Sequence, residues 1–489
     1  MILYRWVLLG YVALAFVFIG EAGISLYESN AVFSTTTLIF ASGLCLYSIT
    51  LLQHTRGLSR SIFLLVSIAL AVGYLGRFAL LTLDPSRYQY DFLVPLIDPI
   101  VRQSFLHIVL GLGALWLGLR IATRKVIVQD WSSRLSTHLM PHRHLLIVAA
   151  AITISVQMAL RVFFGYQLTT TDMGYLVQVL NSSTGVLGFA IMYLAVLEWR
   201  RLRHGEKAAI LLVFAGEVLS DFVSGGRGGI LIPLLSLTVI VIATRPDMHI
   251  PKKVVLVVAA GALLLGPSYL ESVHVVRDTV RSPGGSFFGA LYEGFEPSST
   301  FSFIDTVWEV SDRFGTIDLM LIGMAYRAPG LDLILTVGNT LKTVVNTLTP
   351  DSLISFHSVH LGKAFGVLYQ GLPEDVAHSG AWSGPGILYQ AFGRLDWLAF
   401  GVLGYLIGAG VQMVERRNPW FVLLALFLLL FLWHFVMSGN IDILLGGLII
   451  NAVLSFVLML VLAMLPQRSR TPVVRTAVAS STTGQALLD

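Results

Sequence analysis

Cysteine and charged residues are both scarce in this chain. A single cysteine, Cys45, in 489 residues excludes a disulfide framework within the chain and a metal cluster held by thiolates. Charged residues make up 12% of the sequence, about half of the roughly 25% found in soluble domains. This shortage argues against a soluble enzyme and indicates a protein whose surface meets lipid. The net charge is only +4, and no nucleic-acid partner is expected.

Long apolar runs take up most of the sequence, which is 55% hydrophobic and has a mean hydropathy of +0.78. Many runs approach the roughly 20 residues with which a helix crosses a bilayer. Helices satisfy their own backbone polar groups, as lipid requires. We therefore predict an all-α polytopic membrane protein with about 12 transmembrane helices. The predicted spans are 4–20, 32–52, 61–83, 100–122, 144–164, 174–197, 207–223, 227–244, 252–270, 394–414, 419–437 and 441–465.

The basic residues set the predicted orientation, because cytoplasmic loops carry an excess of lysine and arginine. With the N-terminus inside, every inside connection is basic, and the short outside connections are mostly acidic or neutral. The inside basic residues are Arg56, Arg60, Arg120, Arg124, Lys125, Arg134, Arg143, Arg200, Arg201, Arg203, Lys207, Arg245, Lys252, Lys253, Arg416, Arg417, Arg468, Arg470 and Arg475. Both termini are then cytoplasmic, in the inner membrane of a bacterium.

Four segments follow from this topology. Residues 1–270 form a block of nine transmembrane helices, and residues 386–466 form a block of three. Between them, residues 271–385 form one large, partly helical periplasmic loop. Residues 467–489 lack apolar periodicity and are predicted to be a disordered cytoplasmic tail.

A glycine-rich turn, Ser224-Gly-Gly-Arg227-Gly-Gly, joins two apolar runs with almost no loop. Its backbone amides could form an anion-binding nest beside the Arg227 guanidinium. The alternative is a tight helical hairpin in which Arg227 reaches the lipid headgroups.

A pair of arginines, Arg277 and Arg281, opens the predicted loop. Their i,i+4 spacing places both on one helix face close to the membrane. Arginine binds phosphate oxygens through paired hydrogen bonds, so a diphosphate at headgroup level suits this pair. Lipid headgroups, together with a local pair to Asp278, are the alternative partner.

Carboxylates and aromatic rings alternate in the next part of the loop. Asp305, Glu309 and Asp312 lie on one predicted helix stripe, with Trp308 alongside. Such carboxylates suit general-base catalysis on a sugar hydroxyl, whereas a solvated acidic helix face is the structural alternative. Two further arginines, Arg313 and Arg327, add positive charge at turns.

Histidines are concentrated near the end of the loop. His357 and His360 are three residues apart and have no third ligand close in sequence, so neither a metal site nor a cofactor is expected. Either could serve as a general base or as a phosphate hydrogen-bond donor. Polar loop residues without a chemical role are the alternative.

Two short motifs carry a resemblance to a known family. Ser224-Gly-Gly-Arg227-Gly resembles the Ser-Gly-x-Arg-Gly turn of Wzy-type O-antigen and exopolysaccharide repeat-unit polymerases. The stretch from Ser383 to Gly393, with Tyr389 followed by Phe392-Gly393, resembles the family's segment before the next span. The family pattern has an acidic residue shortly before that tyrosine. Here the residues are Gly386-Ile-Leu, so no carboxylate role is carried over to this position.

The resemblance implies a GT-C-like membrane glycosyltransferase that acts on lipid-linked sugars. A growing glycan on undecaprenyl diphosphate would move to the terminal hydroxyl of a lipid-linked repeat unit on the periplasmic face. Expected partners are this undecaprenyl-diphosphate-linked oligosaccharide, membrane lipids, a chain-length regulator and a flippase. The diphosphate would be held by Arg277, Arg281 and Arg227, with Arg313 and Arg327 in second rank. The base would be Glu309 or Asp305, or else His357 or His360.

Three alternatives stay open on the sequence alone. An O-antigen ligase shares the architecture and the donor but uses a different acceptor. A transporter of lipid-linked oligosaccharide or polysaccharide would place charges inside the helix bundle, where Arg77, Arg161, Glu198 and Glu217 are near span ends or isolated. A scaffold for an envelope complex would tolerate single arginine changes in the loop.

Overall fold

The computed structural model describes a subset of the chain, and every regular element in that subset is helical. The described residues are 51, 55, 58–88, 98–123, 131–164, 173–223, 236–237, 240–241, 272, 275–276, 289, 308, 316–326, 331–349, 356–359, 361–370, 383–417, 427–428, 431–432 and 434–465.

Fourteen α-helices are defined by their bounds within these residues. They are α1 Leu58–Leu70, α2 Arg77–Leu83, α3 Asp98–Thr123, α4 Trp131–Leu139, α5 Arg143–Phe164, α6 Met173–Glu198, α7 His204–Val223, α8 Thr316–Ala325, α9 Leu331–Ile334, α10 Val337–Leu348, α11 Leu361–Gln370, α12 Gly384–Phe392, α13 Asp396–Arg417 and α14 Ile441–Met464. A π-helical turn, Ala71–Gly76, joins α1 to α2.

Five helical stretches among the described residues are long and apolar enough to cross a membrane. They overlap the predicted spans 100–122, 144–164, 174–197, 394–414 and 441–465, although two of them, Leu135–Leu160 and Gly384–Gln412, begin about ten residues earlier than predicted. The predicted spans 61–83 and 207–223 are helical as well. The other five predicted spans lie wholly or mostly outside the described residues.

Helices α3 and α13 run parallel and pack closely along their length. His107 lies beside Asp396 at one end, and the Gln412 amide donates to the carbonyl of Ala122 at the other. Both helices therefore cross in the same direction, which is compatible with the predicted topology.

Glycines allow these two backbones to touch. A Cβ on Gly404 would overlap the carbonyl oxygen of Leu115, and one on Gly118 would overlap that of Gly401. A Cβ on Gly408 would lie 2.6 Å from the Cβ of Ala122. Small residues at such spacing are typical of membrane helices that associate by close backbone approach.

Part of the predicted periplasmic loop belongs to the core. Helix α8 is apolar, its residues 316–323 are all buried, and it packs against α3 and α12. The predicted boundary between 385 and 386 lies inside α12. The prediction assigned residues 271–385 to the loop as one segment, and the 10 residues of α8 are fewer than a membrane span needs.

A buried carboxylate joins α5 and α7 at the end of the bundle predicted to be cytoplasmic. Glu206 accepts hydrogen bonds from the Arg143 side chain at 2.7 Å and from the Arg203 backbone amide at 2.7 Å. The His144 imidazole lies 3.0 Å away. Burial by itself raises the pKa of Glu206, but these donors outweigh it, so the pKa is lowered from its ordinary value.

This lowered pKa predicts a stability that depends on pH. A carboxylate with a depressed pKa contributes stability above its unfolded pKa, and the contribution is lost as pH falls through the folded pKa. We expect Glu206→Gln to lower the melting temperature of the detergent-solubilised protein at pH 7. The difference from the unmodified protein should shrink as the pH falls below about 4. A difference that stays constant from pH 7 to pH 3 would contradict the assignment to Glu206.

Candidate functional site

A buried ion pair links α2 to α8. The Arg77 Nη2 atom lies 2.8 Å from Asp318 Oδ2, and Nε lies 3.3 and 3.2 Å from the two carboxylate oxygens. The side chains of Arg77 and Asp318 are 1% and 3% exposed. Charges inside a helix bundle are costly to desolvate, so they are either paired or mark a functional site.

Aromatic and cationic groups extend this pair towards the turn after α2. The Arg77 guanidinium lies 5.9 Å from the centre of the Trp308 ring, and that of Arg87 lies 5.7 Å from the same centre. Arg77 also donates a 3.1 Å hydrogen bond to the Arg87 carbonyl. The turn is held by Asp84, whose carboxylate accepts from the amide of Ser86 and lies 3.6 Å from the Arg87 guanidinium. Two cations thus share one indole ring, and one of them, Arg87, is exposed.

A second buried pair links α3 to α13. His107 Nδ1 lies 2.8 Å from Asp396 Oδ1, and both side chains are fully buried. The same carboxylate oxygen accepts from the Trp397 amide at the start of α13. When His107 is neutral, a proton on Nδ1 that faces the carboxylate leaves Nε2 as the basic nitrogen. This is the arrangement by which a carboxylate orients a histidine base.

A tyrosine side chain lies beside this histidine. The Tyr389 ring meets His107 edge-on, with 4.9 Å between ring centres. Tyr389 is half-buried. The predicted family-like stretch around Tyr389 is therefore adjacent to a buried His–Asp pair.

The start of α12 is strained. Ser383 is buried and has a φ of 56°, a conformation that is unfavourable for a residue with a Cβ. Its hydroxyl accepts from the Gly386 amide at 3.0 Å and so caps the helix. One turn later, Gln390 donates to the carbonyls of Gly323 and Tyr326 at the end of α8. These contacts fix α12 against α8 and place Tyr389 next to α3.

His357 is described among the sequence-predicted site residues, and it is exposed. It lies in an extended segment, residues 356–359, that asparagines of α10 hold in place. Asn346 accepts from the Phe356 amide at 2.9 Å and donates to the Phe356 carbonyl at 2.7 Å. The other predicted site residues lie outside the described residues: Arg227, Arg277, Arg281, Asp305, Glu309, Arg313, Arg327 and His360.

Sequence reasoning missed both buried pairs. Arg77 was assigned to the end of a span, and His107, Asp318 and Asp396 were not selected. The signal available in the sequence was an ionisable residue inside an apolar run, which is a functional candidate by default in a membrane helix. That rule selects Arg77 and His107 but gives no partner for either.

Comparison with known proteins gives no relative: no family model, curated protein or solved structure matches the chain. Among the described residues, no group of three or more histidine, cysteine, aspartate or glutamate side chains could hold a metal ion. Because no relative is found, any function of this chain has to be inferred from the chemistry of these residues and from the short sequence motifs.

Proposed function

We propose that the chain is a membrane glycosyltransferase that polymerises lipid-linked repeat units. The donor is a glycan on a polyprenyl diphosphate, and the acceptor is a sugar hydroxyl of a second lipid-linked unit. The acceptor oxygen bonds to the anomeric carbon, the bond from that carbon to the diphosphate oxygen breaks, and the acceptor proton passes to a base. Because the diphosphate is the leaving group, the reaction needs cations to stabilise its charge.

The position of Trp308 is the observation that best supports this proposal. Trp308 lies between Asp305 and Glu309 in sequence, and its ring contacts the guanidinium groups of Arg77 and Arg87. Trp308 thus connects an exposed arginine with the sequence segment that carries the predicted base. A base for the acceptor and a cation for the leaving group have to act at one reaction centre.

Arg87 provides the direct test, because it is exposed and its charge is not needed to neutralise Asp318. Purified protein in proteoliposomes is given lipid-linked repeat units, and chain length is read on a gel. We expect Arg87→Ala to slow chain extension by roughly 10- to 100-fold, as loss of a group that stabilises the leaving charge does. Arg87→Lys should recover part of the rate.

Arg201→Ala is the matched control, because Arg201 is also exposed and paired with a carboxylate, Glu198, at 3.0 Å. It is predicted to lie on the opposite side of the membrane and should leave the rate unchanged. An unchanged rate for Arg87→Ala would remove Arg87 from the site. Absence of any extension by the unmodified protein would overturn the polymerase proposal itself.

A transporter of lipid-linked saccharides is a second candidate, favoured by one observation. The pairs Arg77–Asp318 and His107–Asp396 are buried between helices, where transporters place their charged groups. The same proteoliposomes distinguish the two functions. Transport moves lipid-linked units between leaflets without lengthening them, whereas polymerisation lengthens them on one side.

A further inference from the structure

Helix α10 leaves a stripe of apolar side chains uncovered. A surface helix of a soluble protein turns its apolar side inwards and its polar side to solvent. In α10, Thr343 and Val344 are buried, whereas Val337 and Leu341 are 76% and 58% exposed. Leu333 continues the apolar stripe at the same four-residue spacing and is 79% exposed.

The polar side of α10 is occupied by hydrogen bonds to the protein. Asn339 donates to the Val359 carbonyl at 2.9 Å and accepts from the Val359 amide at 3.1 Å. Asn346 forms the equivalent pair with Phe356 and also donates to the Ser358 hydroxyl at 3.0 Å. Both asparagine side chains are therefore committed to the protein. The exposed polar residue of the helix is Lys342, whose long apolar stem lets its ammonium group reach the headgroups.

The contact between α10 and α14 indicates the environment of α10. A Cβ on Gly446 would lie 2.5 Å from the Thr347 side chain, so α10 packs directly on the first turns of α14. Helix α14 is the most apolar of the five candidate spans among the described residues. Its own exposed side chains include Ile449 and Val453, at 40% and 56% exposure.

We propose that α10 is seated in the leaflet around the N-terminal half of α14, with Leu333, Val337 and Leu341 in contact with lipid acyl chains. These three residues, termed the apolar stripe, continue the lipid-facing surface of α14. A helix with polar groups turned to the protein and apolar groups turned outwards is stable in hydrocarbon, because only there do the outward groups avoid water. The occupant of the stripe is thus lipid.

The seating of α10 places the segment of residues 356–359 at the level of the bilayer. Asn339 and Asn346 tie that segment to α10, and the segment carries the exposed His357. This side chain is then available to a substrate that is itself anchored in lipid, a step that rests on the proposed function. The seating itself does not depend on the function.

Site-directed spin labelling of the full-length protein in proteoliposomes tests the seating. Cys45→Ser removes the native thiol, and single cysteines replace Val337 and Leu341. Val453→Cys is the control for lipid, and Ser86→Cys, in the exposed turn Pro85–Arg87, is the control for water. Collision with oxygen, which concentrates in lipid, is compared with collision with a water-soluble nickel chelate.

Labels at 337 and 341 are expected to favour oxygen over nickel to the same degree as the label at 453, and several-fold more than the label at 86. A preference for nickel would place α10 in water and overturn the proposal. Poor access to both reagents would show a covering protein or second copy and would overturn it as well. If a variant is not monodisperse, Leu333→Cys on the same stripe replaces it. The readout is independent of catalysis, so an inactive protein still gives a result.

Discussion

Replacing Asp318 with asparagine is expected to destabilise the folded protein by about 3–5 kcal/mol, the usual cost of leaving one buried charge without its counterion. Arg77 is 1% exposed and lies against both carboxylate oxygens of Asp318. Asparagine keeps the shape of the side chain but removes the negative charge. The Arg77 guanidinium would then remain charged among apolar helices, because arginine does not deprotonate in proteins.

The double variant Arg77→Met with Asp318→Leu distinguishes a charge effect from damage to packing. Removing both charges from a buried pair is often neutral or stabilising, so the double variant should regain most of the stability that Asp318→Asn loses. Stability is read as the melting temperature in detergent at one heating rate, because membrane proteins often unfold irreversibly. Asp84→Asn is the control: Asp84 is partly exposed, and asparagine can still accept from the Ser86 amide, so the melting temperature should change little. If the double variant is as unstable as Asp318→Asn, the loss of stability in Asp318→Asn does not come from the unpaired charge of Arg77.

The same double variant separates the structural role of the pair from a functional one. If Arg77 only connects α2 to α8, a stable double variant should extend lipid-linked chains or transport them normally. If the Arg77 charge acts on the substrate, the double variant should be stable and inactive. The comparison is informative because Arg77 and Arg87 contact the same Trp308 ring.

The positions of the long apolar helices among the described residues could be predicted from the sequence because lipid imposes a local rule. A span must be apolar over about 20 residues. Whether a segment meets this requirement can be judged from its own consecutive residues, without knowing its neighbours in the fold. The predicted span 100–122 accordingly agrees with α3, Asp98–Thr123, and the predicted span 441–465 agrees with α14, Ile441–Met464.

The partners of the buried charges could not be predicted, because they are a property of packing. Arg77 and Asp318 are 241 positions apart, and His107 and Asp396 are 289 apart. A single sequence carries no signal for pairs at that separation. The same limit applies to α8, because its burial against α3 and α12 depends on distant parts of the chain.

Replacing Gly404 with leucine is expected to prevent the protein from folding, and even alanine should lower its stability. A Cβ on Gly404 would overlap the Leu115 carbonyl oxygen, which is backbone and cannot rotate away. Helices α3 and α13 would have to separate along a seam that runs from the His107–Asp396 pair to the Gln412–Ala122 hydrogen bond. Overpacking of this kind costs about 1–3 kcal/mol and sometimes more, so Gly404→Ala should melt earlier and Gly404→Leu should not accumulate in the membrane.

Gly447→Ala is the matched control for this prediction, because Gly447 lies within α14 and a Cβ there would meet no atom within 4 Å. Alanine favours a helix over glycine, so this variant should be neutral or slightly more stable. Melting temperatures of Gly404→Ala and Gly447→Ala that agree with each other would contradict the close packing of α3 on α13. A lower value for Gly404→Ala alone would show that the backbones touch. In that case the His107–Asp396 pair lies at one end of a seam along which the two helix backbones are in contact.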